Sequence, residues 1–135
     1  MRVLVDTSAW VDFLNGFPSP AADALADLLE GDEEVCTCGI VVAEVFQGLR
    51  RARERAAIQR SFEDLSFLEA SGIDVYLRAA KLYRSLRQKG VTVRSTVDCI
   101  IAMIAEDADC ALLARDSDMD AILESGLTKT APWPF

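Results

Sequence analysis

The sequence predicts an α/β protein with a mainly parallel central sheet. Val3-Leu4-Val5 and Cys110-Ala111-Leu112-Leu113-Ala114 are apolar throughout instead of alternating, the pattern of strands covered by helices on both faces. Between them apolar residues recur at helical spacing, so strands alternate with helices. Both runs end at acids, Asp6 after the first and Asp116 after the last. Open α/β sheets place their ligands at this carboxyl end of the strands.

In chain order, Val3–Val5 is the first strand. Thr7 to Leu14 reads as a short helix, with Thr7 or Ser8 able to cap it. Gly16, Pro18 and Pro20 interrupt it, and Ala21 to Glu30 has a helical face of Ala21, Leu25, Leu28 and Leu29. Val35 to Thr37 is a second short strand. Ile40 to Arg50 is a helix with Val41, Val45 and Leu49 on one face, continuing as a basic helix from Arg51 to Leu65. Phe67, Leu68 and Ala70 form a strand or a connection.

Asp74 to Lys89 is a long helix with an apolar face of Tyr76, Ala79, Ala80, Tyr83 and Leu86. Arg78, Lys81, Arg84 and Arg87 lie opposite, and Gly90 closes it. Ser95 or Thr96 opens the next helix, which carries Val97, Ile100, Ile101 and Ile104. After the Cys110–Ala114 strand, a short helix runs through Ile122 to Gly126. Leu127 to Thr130 reads as an edge strand, and Pro132-Trp133-Pro134-Phe135 as an irregular tail.

The 135 residues, 51% of them apolar, suit one domain spanning 1–135 with one core. No apolar run approaches the ~20 residues that span a bilayer, and no signal peptide precedes the first strand. The expectation is a soluble cytoplasmic protein without a membrane partner. Cys36, Cys38, Cys99 and Cys110 lack zinc-site spacing and read as small core residues. The chain has no histidine, which excludes Ser-His-Asp and Cys-His chemistry and leaves carboxylates, metals or lysine to act.

The net charge of −8 is unevenly distributed. From Arg50 to Arg94 there are eleven basic and five acidic residues, and elsewhere three basic and seventeen acidic. A basic segment of this kind suits phosphate contacts through Arg94, Arg84 and Arg87, although Arg84 and Arg87 suit a solvated helix face equally well.

Four acids interrupt apolar or tightly patterned segments. They are Asp6, Asp116, Glu44 in Val41-Val42-Ala43-Glu44-Val45-Phe46, and Asp98 in Thr96-Val97-Asp98-Cys99-Ile100-Ile101. Each alone is more often a cap or a surface residue. If the first and last strands are parallel neighbours, Asp6 and Asp116 emerge at one sheet edge. Buried carboxylates need a partner. A set of oxygen donors without Cys or His favours Mg²⁺, with Mn²⁺ able to substitute. Asp118 is a weaker fifth candidate, as an outer ligand or a cap. Thr7, Ser8 and Thr96 are candidate supporting hydroxyls.

Asp6-Thr7-Ser8, Glu44, the run Arg94-Ser95-Thr96-Val97-Asp98-Cys99-Ile100-Ile101-Ala102 and the run Leu112-Leu113-Ala114-Arg115-Asp116-Ser117-Asp118 resemble the PIN-domain nucleases. More narrowly, they resemble the VapC-type toxins of toxin–antitoxin pairs. The resemblance extends from Val3 to about Asp120. It implies a PIN-like α/β/α sandwich and a metal-dependent endoribonuclease with Asp6, Glu44, Asp98 and Asp116 around Mg²⁺. It also implies a homodimer, inhibition by a cognate VapB-type antitoxin, and a transfer-RNA or ribosomal-RNA loop as substrate. Two positions depart from the family pattern: Ala114 stands where a hydroxyl residue is frequent, and Met119 where an aromatic is.

Other readings of the acids are a haloacid-dehalogenase-like phosphatase and a non-catalytic PIN-like RNA-binding or scaffold module. The phosphatase needs a second Asp two residues after the first, where this chain has Ser8. A receiver domain needs an acid pair after the first strand, which is also missing.

Overall fold

The computed structural model describes residues 1–135. Strand β1 (Arg2–Val5) leads to α1 (Thr7–Leu14), α2 (Pro20–Glu30), β2 (Glu34–Cys38), α3 (Gly39–Gln47), α4 (Ala52–Glu63) and β3 (Ser66–Leu68). The second half comprises α5 (Asp74–Gln88), α6 (Val97–Asp107), β4 (Ala111–Leu113) and α7 (Ser117–Glu124). All strand pairings are parallel, in the order β3-β2-β1-β4.

The chain steps outward from β1 to β2 and β3, then returns past β1 to β4. Right-handed crossovers in opposite directions put their helices on opposite faces. Accordingly α1 packs on α2 and α3, whereas α6 packs on α5 and α7. The result is an α/β/α sandwich, and its central strands have no solvent face: Val3, Leu4, Val5 and Leu113 are fully buried. The order reverses between β1 and β4, which makes that crevice the ligand position of such a sheet. No helix is long and apolar enough to cross a membrane.

Several elements differ from the sequence reading. The buried stripe of α5 is Val75, Ala79, Leu82 and Leu86, while Tyr76 is exposed and Ala80 and Tyr83 are half-buried. Both stripes contain Ala79 and Leu86, so periodicity alone did not distinguish two faces about one residue apart. Helices α3 and α4 are separate. Arg51 takes extended geometry, and Arg55 donates to the carbonyls of Leu49 and Arg50 at 3.2 and 2.8 Å, satisfying the break.

No edge strand forms at Leu127–Thr130. Instead the tail makes one parallel bridge between Leu112 and Pro132. Leu112 donates to the Ala131 carbonyl, and Trp133 donates to that of Leu112. Pro132 has no N–H with which to extend a ladder. Trp10 is buried, its ring centroid 4.5 Å from that of Phe62. Phe13 and Trp133 are half-buried, and Phe135 is exposed.

The turn that leads toward the site is held by paired backbone hydrogen bonds. Gly90, at φ 81°, sits in the left-handed position after α5. Its N–H donates to Arg87 and that of Val91 to Leu86, the paired bonds of a Schellman ending. All four cysteines are buried free thiols.

Candidate metal-binding active site

The site stands at the carboxyl edge of β1 and β4, which are neighbours in register, with Val5 opposite Leu113. The Asp6 N–H donates to the Leu113 carbonyl at 2.8 Å, which extends the ladder by one bond. Asp6 caps α1, accepting from the Ser8 N–H at 3.1 Å and its hydroxyl at 2.6 Å, both on Oδ2. It is nevertheless almost wholly buried, which a simple surface cap is not. Burial pushes its pKa up, the Ser8 bonds oppose this, and the charges of Asp116 and Glu44 add to the rise.

Glu44 comes from α3, the helix that β2 feeds into the same edge. Thr7 donates its hydroxyl to Glu44 Oε1 at 2.7 Å and so ties α1 to α3. Ser8 is fixed from the other side, since the Arg115 backbone N–H donates to its hydroxyl at 2.9 Å. A hydroxyl bonded both to Asp6 and to the loop after β4 holds the two strand ends in one arrangement.

Asp98, in the first turn of α6, and Asp116, the N-cap of α7, form a compact group with Asp118. One carboxylate oxygen from each of the three lies within 4.8 Å of the others. Asp98 has its pKa pushed up to about 8, first by burial, then by a hydrogen bond with Asp116 and the charges of Asp6, Asp116 and Asp118. Asp6, Glu44, Asp98 and Asp116 are therefore electrostatic neighbours, and Asp118 belongs to the tight group although the sequence reading made it the weakest of the five. Buried and close together, these carboxyls disfavour their charged forms unless positive charge joins them. An all-oxygen donor set of this kind is compatible with a hard divalent cation.

Arg94 lies against the group. Its Nη2 is 2.7 Å from Asp116 Oδ1, and its Nε and backbone N–H donate to Asp118 Oδ2 at 2.8 and 3.0 Å. These bonds hold the Asp118 carboxyl below its ordinary range. Arg84 and Arg87 are exposed on α5, outside the acid group. Arg78 is neutralised on the same helix by Asp74, Glu106 and Asp107. Thr96, expected as a supporting hydroxyl, is exposed at the start of α6 and makes no cap bond. Its backbone is already helical, and Ser95 accepts from the Val97 N–H instead.

The sequence reading missed one pair. Asp12, buried within α1, accepts from Arg115 and from the Ser19 hydroxyl. Arg115 also lies over the Phe17 ring at 5.1 Å. The pair clamps the loop carrying Asp116 onto α1 and the turn before α2. The only hint in the sequence was an acid inside the apolar run Trp10-Val11-Asp12-Phe13-Leu14.

A PIN-domain family model matches residues 3–123. The chain is 32% identical over 121 residues to ribonuclease VapC11 of Mycobacterium tuberculosis, covering 89% of this chain and 90% of that protein. Its fold is similar to that of VapBC2 from Rickettsia felis bound to a promoter DNA fragment, with TM-score 0.72, 19% identity and coverage of 99% and 100% of the two chains. VapC20 of Mycobacterium tuberculosis, a sarcin-ricin loop cleaving toxin, matches with TM-score 0.66, 19% identity and coverage of 96% and 99%. The acids after β1 and β4 thus stand in a fold and a sequence lineage that agree, and the chain belongs to the PIN-domain family, in its VapC ribonuclease branch.

Proposed function

We propose that this chain is a divalent-metal-dependent endoribonuclease and the toxin of a VapBC-type toxin–antitoxin pair. One observation supports the reading: Asp98, Asp116 and Asp118 bring carboxylate oxygens within 4.8 Å of one another, Asp6 and Glu44 lie close enough for their charges to be felt, and burial with these neighbours pushes the Asp98 pKa up to about 8. Asp98, Asp116 and Asp118 are the residues to hold a cation, with Asp6 and Glu44 completing the acidic wall. A bound Mg²⁺ or Mn²⁺ ion supplies an activated water and positive charge beside the scissile phosphate. The chain's own residues do the rest. Ser8 aims Asp6, Thr7 aims Glu44, and Arg94, Arg84 and Arg87 draw the RNA backbone to an otherwise repelling surface.

The VapC kinship supports a VapB-type antitoxin as partner, a structured transfer-RNA or ribosomal-RNA loop as substrate, and action in the cytoplasm as a single domain. Phe67, Ile73, Tyr76 and Leu77, all exposed, support a homodimer. The haloacid-dehalogenase alternative has no support at Ser8, whose hydroxyl is engaged by Asp6 and Arg115.

The test is cleavage of structured RNA by the purified protein with Mg²⁺ or Mn²⁺, with EDTA, and with metal restored. Cleavage should require the metal and leave 5′-phosphate and 3′-hydroxyl ends. Full cleavage after metal removal, or 2′,3′-cyclic phosphate ends, sinks the mechanism. RNA binding without cleavage under every metal condition identifies a binding module instead.

A further inference from the structure

Arg94 occupies an unusual position for a residue whose side chain is 77% exposed. A basic residue free to meet RNA has no need of an acidic partner, yet this one has two. Its guanidinium bridges Asp116 and Asp118, the two members of the three-acid group contributed by the start of α7. Its backbone N–H donates to the same Asp118 oxygen as its Nε, so main chain and side chain converge on one carboxylate. The bonds use Oδ1 of Asp116 and Oδ2 of Asp118, while Asp116 Oδ2 caps α7 through the Met119 N–H. Asp116 thus shares its two oxygens among the helix cap, Arg94 and the Asp98 carboxyl. A cation bound through Asp116 Oδ1 or Asp118 Oδ2 competes with Arg94 for that oxygen.

We propose that Arg94 and the divalent cation are alternative occupants of the Asp116–Asp118 pair, so that metal loading releases the arginine. This rests on the reading of the acid group as a metal site and adds a role for one residue of this chain. Without metal, Arg94 supplies the positive charge that keeps two like-charged side chains close at the start of α7. Once displaced, its guanidinium stays tethered by its backbone bond to Asp118, at the rim of the group, with its five donors free. A planar donor fork beside the site is suited to a phosphate oxygen. The exchange orders the two events: the arginine becomes available to RNA only after the cation has arrived.

Mg²⁺ affinity of the metal-stripped protein, measured by titration calorimetry, tests this on wild type, Arg94→Ala, Arg94→Gln and Asp98→Asn. Both Arg94 variants should bind Mg²⁺ about threefold to tenfold more tightly than wild type, a range consistent with losing two exposed ion pairs. Loss of a nearby positive charge also favours a cation, so a second readout is required. The Arg94 Nε–H resonance in ¹⁵N NMR, assigned by its absence from Arg94→Gln, should shift in step with the Mg²⁺ binding isotherm and exchange faster with water at saturation. An unmoved and still protected Nε–H at saturating Mg²⁺ overturns the exchange, as does unchanged Mg²⁺ affinity in both variants. If neither wild type nor the Arg94 variants bind Mg²⁺, the metal reading itself falls. If Asp98→Asn alone loses Mg²⁺ while the Arg94 signal never moves, the metal site stands and the exchange does not.

Discussion

Arg94 Nη2 lies 2.7 Å from Asp116 Oδ1, although the two residues are 22 positions apart in the chain. The contact joins the loop before α6 to the cap of α7 and ties Arg94 to the acids. For RNA binding, Arg94→Ala should weaken association in the presence of Mg²⁺. It should also reduce the slope of log affinity against log salt by about 0.7, one phosphate contact on a single strand. A slope equal to that of wild type in a filter-binding salt series removes Arg94 from the interface.

Asp98 makes the stability of the metal-free protein depend on pH. Its pKa rises from 3.8 to about 8 on folding, mainly through burial. Between those values the folded state keeps a proton that the unfolded chain has released. This contribution to stability therefore falls as pH rises through the window and is level above it. Asp98→Asn should flatten the dependence and melt higher than wild type at about pH 8 in EDTA. Equal pH dependence of the two melting curves defeats the assignment.

Ser8→Ala removes the hydroxyl that opposes the rise in the Asp6 pKa and that receives the Arg115 N–H. The Asp6 carboxyl should then shift further upward. The acid limb of the cleavage pH profile should move to higher pH, with activity near neutrality reduced about tenfold, the cost of ~1.4 kcal/mol in the barrier. An acid limb identical to that of wild type shows that Asp6 does not act through Ser8.

Asp12→Ala strands the Ser19 hydroxyl in a buried setting and frees Arg115 from its partner. The expected loss is about 2 kcal/mol, in the range for a broken buried network. Arg115→Ala should cost less, about 1 kcal/mol, because its side chain is half exposed and Asp12 keeps Ser19. Urea denaturation of both variants measures this, and equal losses contradict the ranking.

Asp109 is the one non-glycine residue with positive φ, 54°, in the left-handed position after α6. The bonds from Asp109 to Glu106 and from Cys110 to Ala105 repeat the ending seen at Gly90. Asp109→Gly relieves a side chain in that conformation and should stabilise the protein by up to about 1 kcal/mol. A fall in the denaturation midpoint contradicts that account.

The amino-acid pattern alone carried the α/β class, the burial of β1 and β4, and the position of Asp6 and Asp116 just beyond them. Apolar runs and helical spacing are local patterns, and each strand end carries its acid along. It also singled out Glu44 and Asp98 as acids among apolar neighbours. Which residues face one another had to come from packing. The two possible faces of α5 share Ala79 and Leu86, and docking alone selected Val75 and Leu82 over Tyr76 and Tyr83. Asp12 and Arg115 are 103 residues apart, and no local pattern announces their pairing. Arg94 reads equally well as a free RNA contact and as the partner of two acids. The second arrangement exists because folding brings the starts of α6 and α7 to one edge of the sheet, where like charges at close range require a counter-charge.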